Sequence, residues 1–273
     1  MTVFGESKLS TRVNMISSFY GSIDEDSRLT GNRRGELEFF TTMQYIHRYA
    51  KEDSNVLEVG AGTGKYSIAL AKEGMNVTAV ELVESNLEVL RKNGDGIKTL
   101  TSCQGDATNL SAFENASFDV TLVLGPMYHL YEMQDVNKAI DEAIRVTKED
   151  GVIMFAFLSV YAIMYSNYLY SNWAAGEEEN FTKDFQPRHF EQQLFTGYDI
   201  TEFESLFNTK PVKKITTAGT DGYLEPVQLR SDFAFSDKDF ESFKKWHLAF
   251  AEKRELLGSN SHLLYICKKQ STK

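Results

Sequence analysis

Two cysteines in 273 residues, Cys103 and Cys267, stand far apart and outside any metal-ligand spacing, which excludes a disulfide framework and predicts reduced thiols in a cytoplasmic protein. His47, His189, His247 and His262 fall in helical, loop or terminal contexts without ligand spacing, so no metal is expected. No run of roughly 18 uncharged apolar residues occurs, and "MTVFGESKLSTRVNMISSF" lacks a continuous apolar h-region; a membrane span and secretion by that route are not expected. Basic blocks are missing as well. With a formal net charge of −10 there is little to neutralise phosphates, and no nucleic-acid partner is expected. Repeats and low-complexity linkers are absent, and nothing fixes an oligomeric state. What remains, 42% hydrophobic, suffices for one large core with or without a lid, hence one α/β domain over residues 1–273.

The most informative stretch is "NVLEVGAGTGKYSIALAKEG", Asn55 to Gly74. Val56, Leu57 and Val59 read as a short buried strand, Gly60, Gly62 and Gly64 as a sharp turn open to a ligand, and Lys65 onward as a helix stopped by Gly74. Glu58 is a carboxylate on a buried strand and needs hydrogen-bond partners or a cationic ligand. Dinucleotide-binding proteins use a similar turn, but their pattern wants Gly or Ala where this chain has Lys65. "NVTAVEL" gives a second strand ending in Glu81, near the spacing at which an acid holds ribose hydroxyls, before a helix closed by Gly94. "IKTLTSCQGD" gives a third, ending at Asp106, and "FDVTLVLGPMYHLYE" a fourth, broken by Gly125-Pro126. Ligands bind outside such strand ends, which places Gly125 to His129 on the pocket.

The run from Glu58 to Gly64 resembles motif I of the class I S-adenosylmethionine-dependent methyltransferases, Asp/Glu-x-Gly-x-Gly-x-Gly. "GPMYHL" is similar to the "GPLYHL" stretch of bacterial small-molecule methyltransferases of the ubiquinone-biosynthesis-like type, which also carry an Arg-Leu and a Leu-Glu-Phe upstream, as Arg28-Leu29 and Leu37-Glu38-Phe39 do here. The resemblance runs from about Asn55 to Leu158. It implies S-adenosylmethionine as cofactor and a seven-stranded, mostly parallel Rossmann-like sheet with helices on both faces and a reversed last strand. By the same resemblance Glu58, Gly60, Ala61, Gly62 and Gly64 wrap the methionine part, Glu81 and Leu82 the ribose, Asp106 and Ala107 the adenine, and Leu124 and Gly125 the methyl end. Residues 1–54 then form a helical and lid segment, in which Tyr20, Arg28, Arg33 or Arg34 meets the methionine carboxylate or an acidic substrate. Nucleic-acid amino-methyltransferases carry Asn/Asp-Pro-Pro-Tyr/Phe where this chain has Gly125-Pro126-Met127-Tyr128, so a small-molecule substrate is expected.

For the rest, "ELEFFTTMQYIHRYA" sets Leu37, Phe40, Met43, Tyr45 and Ile46 on one helical face, "DVNKAIDEAIRVTKEDG" is an amphipathic helix, and "VIMFAFL" is a buried fifth strand. Residues 159–199 read as a lid insertion in which Tyr161, Tyr165, Tyr168 and Trp173 form one face of a helix over the substrate. A helix from about Ile200, a strand from Val212, one long helix from Ser236 to Gly258 and the strand "HLLYICKK" close the chain. Methyl transfer needs chiefly positioning; where a base is needed, His129 is the expected one, with Tyr128 orienting substrate or stacking beside the sulfonium. An NAD(P)-dependent oxidoreductase and a silent S-adenosylmethionine-binding module are the alternatives.

Overall fold

The computed structural model describes residues 3–228 and 230–271, with side chains from Thr11 onward. The chain opens with α1 (Val3–Tyr20), a helix the apolar periodicity does not announce; among its described side chains Arg12 and Ile16 are buried. After a 3-10 turn at Glu25–Ser27, α2 (Arg33–Ile46) starts on Asn32, whose side chain accepts from the Gly35 N–H, and buries Leu37, Met43, Tyr45 and Ile46.

Alternating strands and helices follow: β1 (Asn55–Val59), α3 (Lys65–Lys72), β2 (Asn76–Glu81), α4 (Glu84–Asn93), β3 (Leu100–Gln104), β4 (Phe118–Val123), α5 (Met133–Val146) and β5 (Thr147–Ser159). Residue 74, just past α3, has φ of +90°, the left-handed conformation a glycine supplies at a helix end. The remainder comprises α6 (Val160–Asn167), α7 (Trp173–Asn180), β6 (Gly197–Tyr198), α8 (Ile200–Ser205), β7 (Val212–Gly219), α9 (Leu224–Gln228), α10 (Asp237–Phe250), α11 (Arg254–Leu257) and β8 (His262–Lys269).

Two expected helices are broken. The aromatic segment is split between α6 and α7, with the turn at Asn172 in the left-handed region (φ +61°). The helix from Ser236 is interrupted after Phe250, because the buried Ala251 turns its carbonyl to the Gly219 N–H at 2.9 Å, a tertiary bond that replaces a helical one.

The sheet has eight strands, seven of them in the order β3-β2-β1-β4-β5-β8-β7, while the two-residue β6 pairs with β5 off this path. Strands β1 to β5 pair in parallel, and β8 is antiparallel to both β5 and β7, the reversed last strand that was expected. Alternate side chains feed two cores. Leu57, Val123, Ile153 and Phe155 pack with Ala139, Ile140 and Ala143 of α5, while Val56, Val120, Leu122 and Met154 pack with Met43 and Ile46 of α2 and Leu70 of α3. From β1 the chain winds outward to β2 and β3, then returns to the other side of β1 for β4. This switch point opens a crevice at the C-terminal ends of β1 and β4.

Candidate active site

A narrow cavity of about 90 Å³ lies in that crevice, roofed by Arg12, Ile16 and Tyr20, which follow one another at four-residue intervals on one face of α1. Its floor carries an acid from each of β1, β2 and the turn after β3. Glu81, 5% exposed, accepts from the Gly62 N–H at Oε2 (2.7 Å) and from the Val83 N–H at Oε1 (2.9 Å), tying the glycine turn to the end of β2. Burial nevertheless pushes its carboxyl up. Asp106 accepts at Oδ1 from the Thr108 N–H and hydroxyl, and at Oδ2 from the Arg12 guanidinium at 2.5 Å, so α1 is clamped to the third acid. Ala61, Leu82, Ala107, Leu124 and Gly125 also line this cavity, as do Glu58, Gly60 and Gly62. Gly64 does not. Its φ of +88° and the 2.7 Å that would separate a Cβ from Leu90 Cγ make it a packing glycine, which corrects its assignment to the ligand.

Glu58 is 1% exposed and accepts a hydrogen bond from the Ser67 hydroxyl. Burial outweighs that bond and pushes its carboxyl up to about 8. The unfolded chain releases this proton near the usual 4.5, so between these values the folded state holds the extra proton and stability falls as pH rises. The slope is at most about 1.4 kcal/mol per pH unit. Glu58→Gln removes it, and the variant's melting temperature, without ligand, is expected to gain on the wild type as pH rises from about 5 to 8. A difference that stays constant across that range would show that Glu58 is ionised throughout.

His129 follows β4 as expected, yet both ring nitrogens are engaged. Nδ1–H donates to the Leu194 carbonyl (2.7 Å), so Nε2 accepts from the Tyr20 hydroxyl (2.9 Å). Burial holds the ring down at about 4, neutral near pH 7. His129 therefore anchors the end of α1 and has no nitrogen free for an acceptor's proton, which corrects its expected role as base.

A second cavity, of about 550 Å³, adjoins the first through a shared wall of Tyr20, Glu25, Arg28 and Tyr128. Ala162, Ile163, Ser166, Asn167 and Tyr168 present it with one side of α6 and its end. Tyr161 and Tyr165, expected to roof it, lie on the outer side, 39% and 44% exposed; the Tyr161 hydroxyl donates outward to Asp199 (3.0 Å). At the shared wall Arg28 reaches both oxygens of Glu38 (3.0 and 2.9 Å) through one nitrogen and Glu25 through another (2.8 Å). Burial alone would raise Glu38, but Arg28, His262 and Arg34 hold it at about 2. Arg34 pairs with Glu225 (3.2 Å), and His262 donates from Nδ1 to Asp221 Oδ2 (2.9 Å). Arg33 turns away to Glu36 and Asp237. Arg12, Glu25 and the Asp221–His262 pair escaped the sequence reading. The four-residue spacing of Arg12, Ile16 and Tyr20 was the one local signal for the first of these.

Residues 57–155 match the family described as "Methyltransferase domain". The chain is 32% identical over 153 residues to a demethylmenaquinone methyltransferase of Clavibacter sepedonicus, covering 56% of this chain and 58% of that protein. It is 25% identical over 162 residues to a ubiquinone biosynthesis O-methyltransferase of Rickettsia canadensis (strain McKiel), covering 55% and 65%. The chain spans about half the length of the curated relatives it matches. Among solved structures, the N-methyltransferase NodS from Bradyrhizobium japonicum WM9, in complex with S-adenosyl-L-homocysteine, superposes with a TM-score of 0.59 at 14% identity, over 93% of this chain and 97% of that one. Among the described residues no helix is long and apolar enough to cross a membrane. Residues 57–155, which carry β1 to β5 and the glycine turn, are thus similar to a methyltransferase domain, and the sheet around them is shared with solved methyltransferases.

Proposed function

We propose that the protein transfers a methyl group from S-adenosylmethionine to a small molecule seated in the second cavity. The observation that carries this reading is the pair of cavities meeting at Tyr20, Glu25, Arg28 and Tyr128, one floored by three strand-end acids and the other open enough for an acceptor. The residues present suit the cofactor. A Cβ on Gly62 would meet nothing nearer than Glu25, at 3.8 Å, so the turn leaves room beside its backbone. Glu25 Oε2 is buried without a partner, an acceptor available to the methionine ammonium. Glu81, which also takes a hydrogen bond from the Asn86 side chain, retains a lone pair for a ribose hydroxyl, and Asp106 Oδ2 retains one for the adenine amino group. Glu58, Gly60, Ala61, Leu82, Ala107, Leu124 and Gly125 complete the contact surface, with Tyr128 at the boundary between cofactor and acceptor.

When bound, the cofactor supplies an electrophilic methyl group on sulfur. The chain's own part is to fix both reactants in line, which can contribute roughly 7–11 kcal/mol, and to keep water out under α1. Tyr20→Phe tests the second task. It leaves His129 Nε2 buried and unpaired, at a cost of about 1–3 kcal/mol, and is expected to speed S-adenosylhomocysteine release about tenfold and to lower the melting temperature by about 2–10 °C. An unchanged release rate would mean that α1 does not hold the ligand. The reading as a whole is tested by calorimetry with S-adenosylmethionine, S-adenosylhomocysteine and NAD, followed by isotope transfer from methyl-labelled cofactor to small-molecule acceptors. Micromolar binding of the first two is expected; binding of NAD alone, or of none, would overturn the proposal.

A further inference from the structure

His262 stands at the second cavity with its ring held by a buried carboxylate. It begins β8 opposite Leu158 at the end of β5, on the same edge of the sheet as the glycine turn, and its ring lines the second cavity with its edge to Tyr128 (centroids 6.2 Å apart). Asp221 fixes the ring: besides taking Nδ1–H at Oδ2, it accepts from the backbone N–H groups of Ser261 (3.0 Å) and His262 (3.2 Å) at Oδ1. In the neutral ring Nδ1 therefore carries the hydrogen and Nε2 the lone pair.

The charges facing this ring are Glu25 before α2, Arg28 and, from α2, Arg34 and Glu38, with Asp221 after β7 and Glu225 of α9. With Glu179 of α7, which also lines the cavity, five carboxyls among the described residues stand around it against two guanidiniums. A carboxylate oxygen of Glu225 lies within 4.8 Å of a His262 ring nitrogen and of Asp221. Burial alone would lower His262, but Glu38 and Asp221 outweigh it and raise the ring above its usual 6.5. A site this rich in acid favours one added positive charge, carried either by His262 or by a ligand beside it. The apolar lining, Leu158, Ile163, Phe190, Leu194 and Phe195, suits an apolar or aromatic body.

We infer that His262, held by Asp221, takes the proton of an ammonium-bearing acceptor in the second cavity, so that the nucleophile is an amine nitrogen. This rests on the methyltransferase reading above. The ammonium loses one N–H proton to Nε2, giving a neutral amine and an imidazolium. The nitrogen lone pair then forms the N–C bond to the methyl group while the S–C bond breaks and its electron pair stays on sulfur. The products are a methylated ammonium, a neutral thioether and protonated His262, and total charge is conserved. An ammonium N–H cannot donate to a protonated Nε2, so binding must drive the imidazolium proton into solvent.

The test uses the full chain loaded with S-adenosylhomocysteine and three probes of one shape: phenethylamine, 2-phenylethanol and 3-phenylpropanoate. Calorimetry in buffers of different ionisation enthalpy counts the protons released. The amine is expected to bind at least about tenfold more tightly than either isostere, and to release a proton on binding in an amount that falls as pH rises above the folded-state titration of His262. His262→Asn keeps an N–H for Asp221 and is expected to abolish the release, while Asp221→Asn shifts it to lower pH. Amine binding no tighter than that of the alcohol, or a release that persists in His262→Asn, overturns the inference. Calorimetry of S-adenosylhomocysteine on the same samples separates that failure from failure of the methyltransferase reading, and from misfolding.

Discussion

Glu81→Ala is expected to weaken S-adenosylhomocysteine binding by at least about a hundredfold, the largest loss of any single carboxylate in the first cavity. The carboxylate has two tasks. It holds the N–H groups of Gly62 and Val83 in a place where little water reaches them, and it faces the cavity with its remaining lone pairs. Truncation leaves both N–H groups without their partner, each at a cost of about 1–3 kcal/mol, and frees the glycine turn from the end of β2. On the proposed function, contacts to the ribose are lost on top of that. Glu81→Gln separates the two tasks: one amide oxygen still accepts from one of the N–H groups, but the second bond and the charge are gone. An intermediate loss of about tenfold is expected for it. Calorimetry measures both, with thermal melts of the ligand-free variants to show how much of the effect is loosening of the turn. Affinity within a few-fold of wild type in Glu81→Ala would mean that no nucleoside rests on this carboxylate.

The parts of the site that could be read from sequence are those built by neighbours in sequence. Strand, glycine turn and helix follow within twenty residues, and Glu58, Glu81 and Asp106, at or near the ends of successive parallel strands, all line the crevice that local pattern and the resemblance together implied. Gly64 shows the limit of that reasoning. A glycine needed for approach to a ligand and one needed beside Leu90 look the same until α4 is packed against the turn. The outward face of Tyr161 and Tyr165 had the same origin: tyrosine suits both a core and a wet surface, and Asp199, far along the chain, settled the matter. Helix α1 has no apolar stripe to announce it. Its described polar contacts, Arg12 to Asp106 and Tyr20 to His129, span 94 and 109 residues. His262 became a cavity residue because β8 inserts antiparallel between β5 and β7, an order that no periodicity encodes.

Gly60→Ala and Gly62→Ala, two residues apart on one turn, are expected to fail in different ways. Both glycines have positive φ, +78° and +55°, which alone costs an alanine about 1–2 kcal/mol. At Gly60 a Cβ would also lie 2.6 Å from Pro126 Cδ and 3.4 Å from Gly125 Cα, so the loops after β1 and β4 would have to part. Parting them opens the switch point of the sheet, at a further cost of about 1–3 kcal/mol. At Gly62 the nearest atoms are those of the Glu25 side chain at 3.8 Å, ordinary contact, and the new methyl group stands in the cavity itself. Gly60→Ala is therefore expected to lower the melting temperature by about 5–15 °C and to lose affinity as a consequence. Gly62→Ala is expected to lower it by no more than about 5 °C and still lose S-adenosylhomocysteine affinity about tenfold or more, because the methyl group fills space the ligand needs. Thermal melts paired with calorimetry distinguish these outcomes. Equal destabilisation by both would mean that the turn is strained as a unit, and a Gly62→Ala protein that binds normally would show that the cofactor does not approach this backbone.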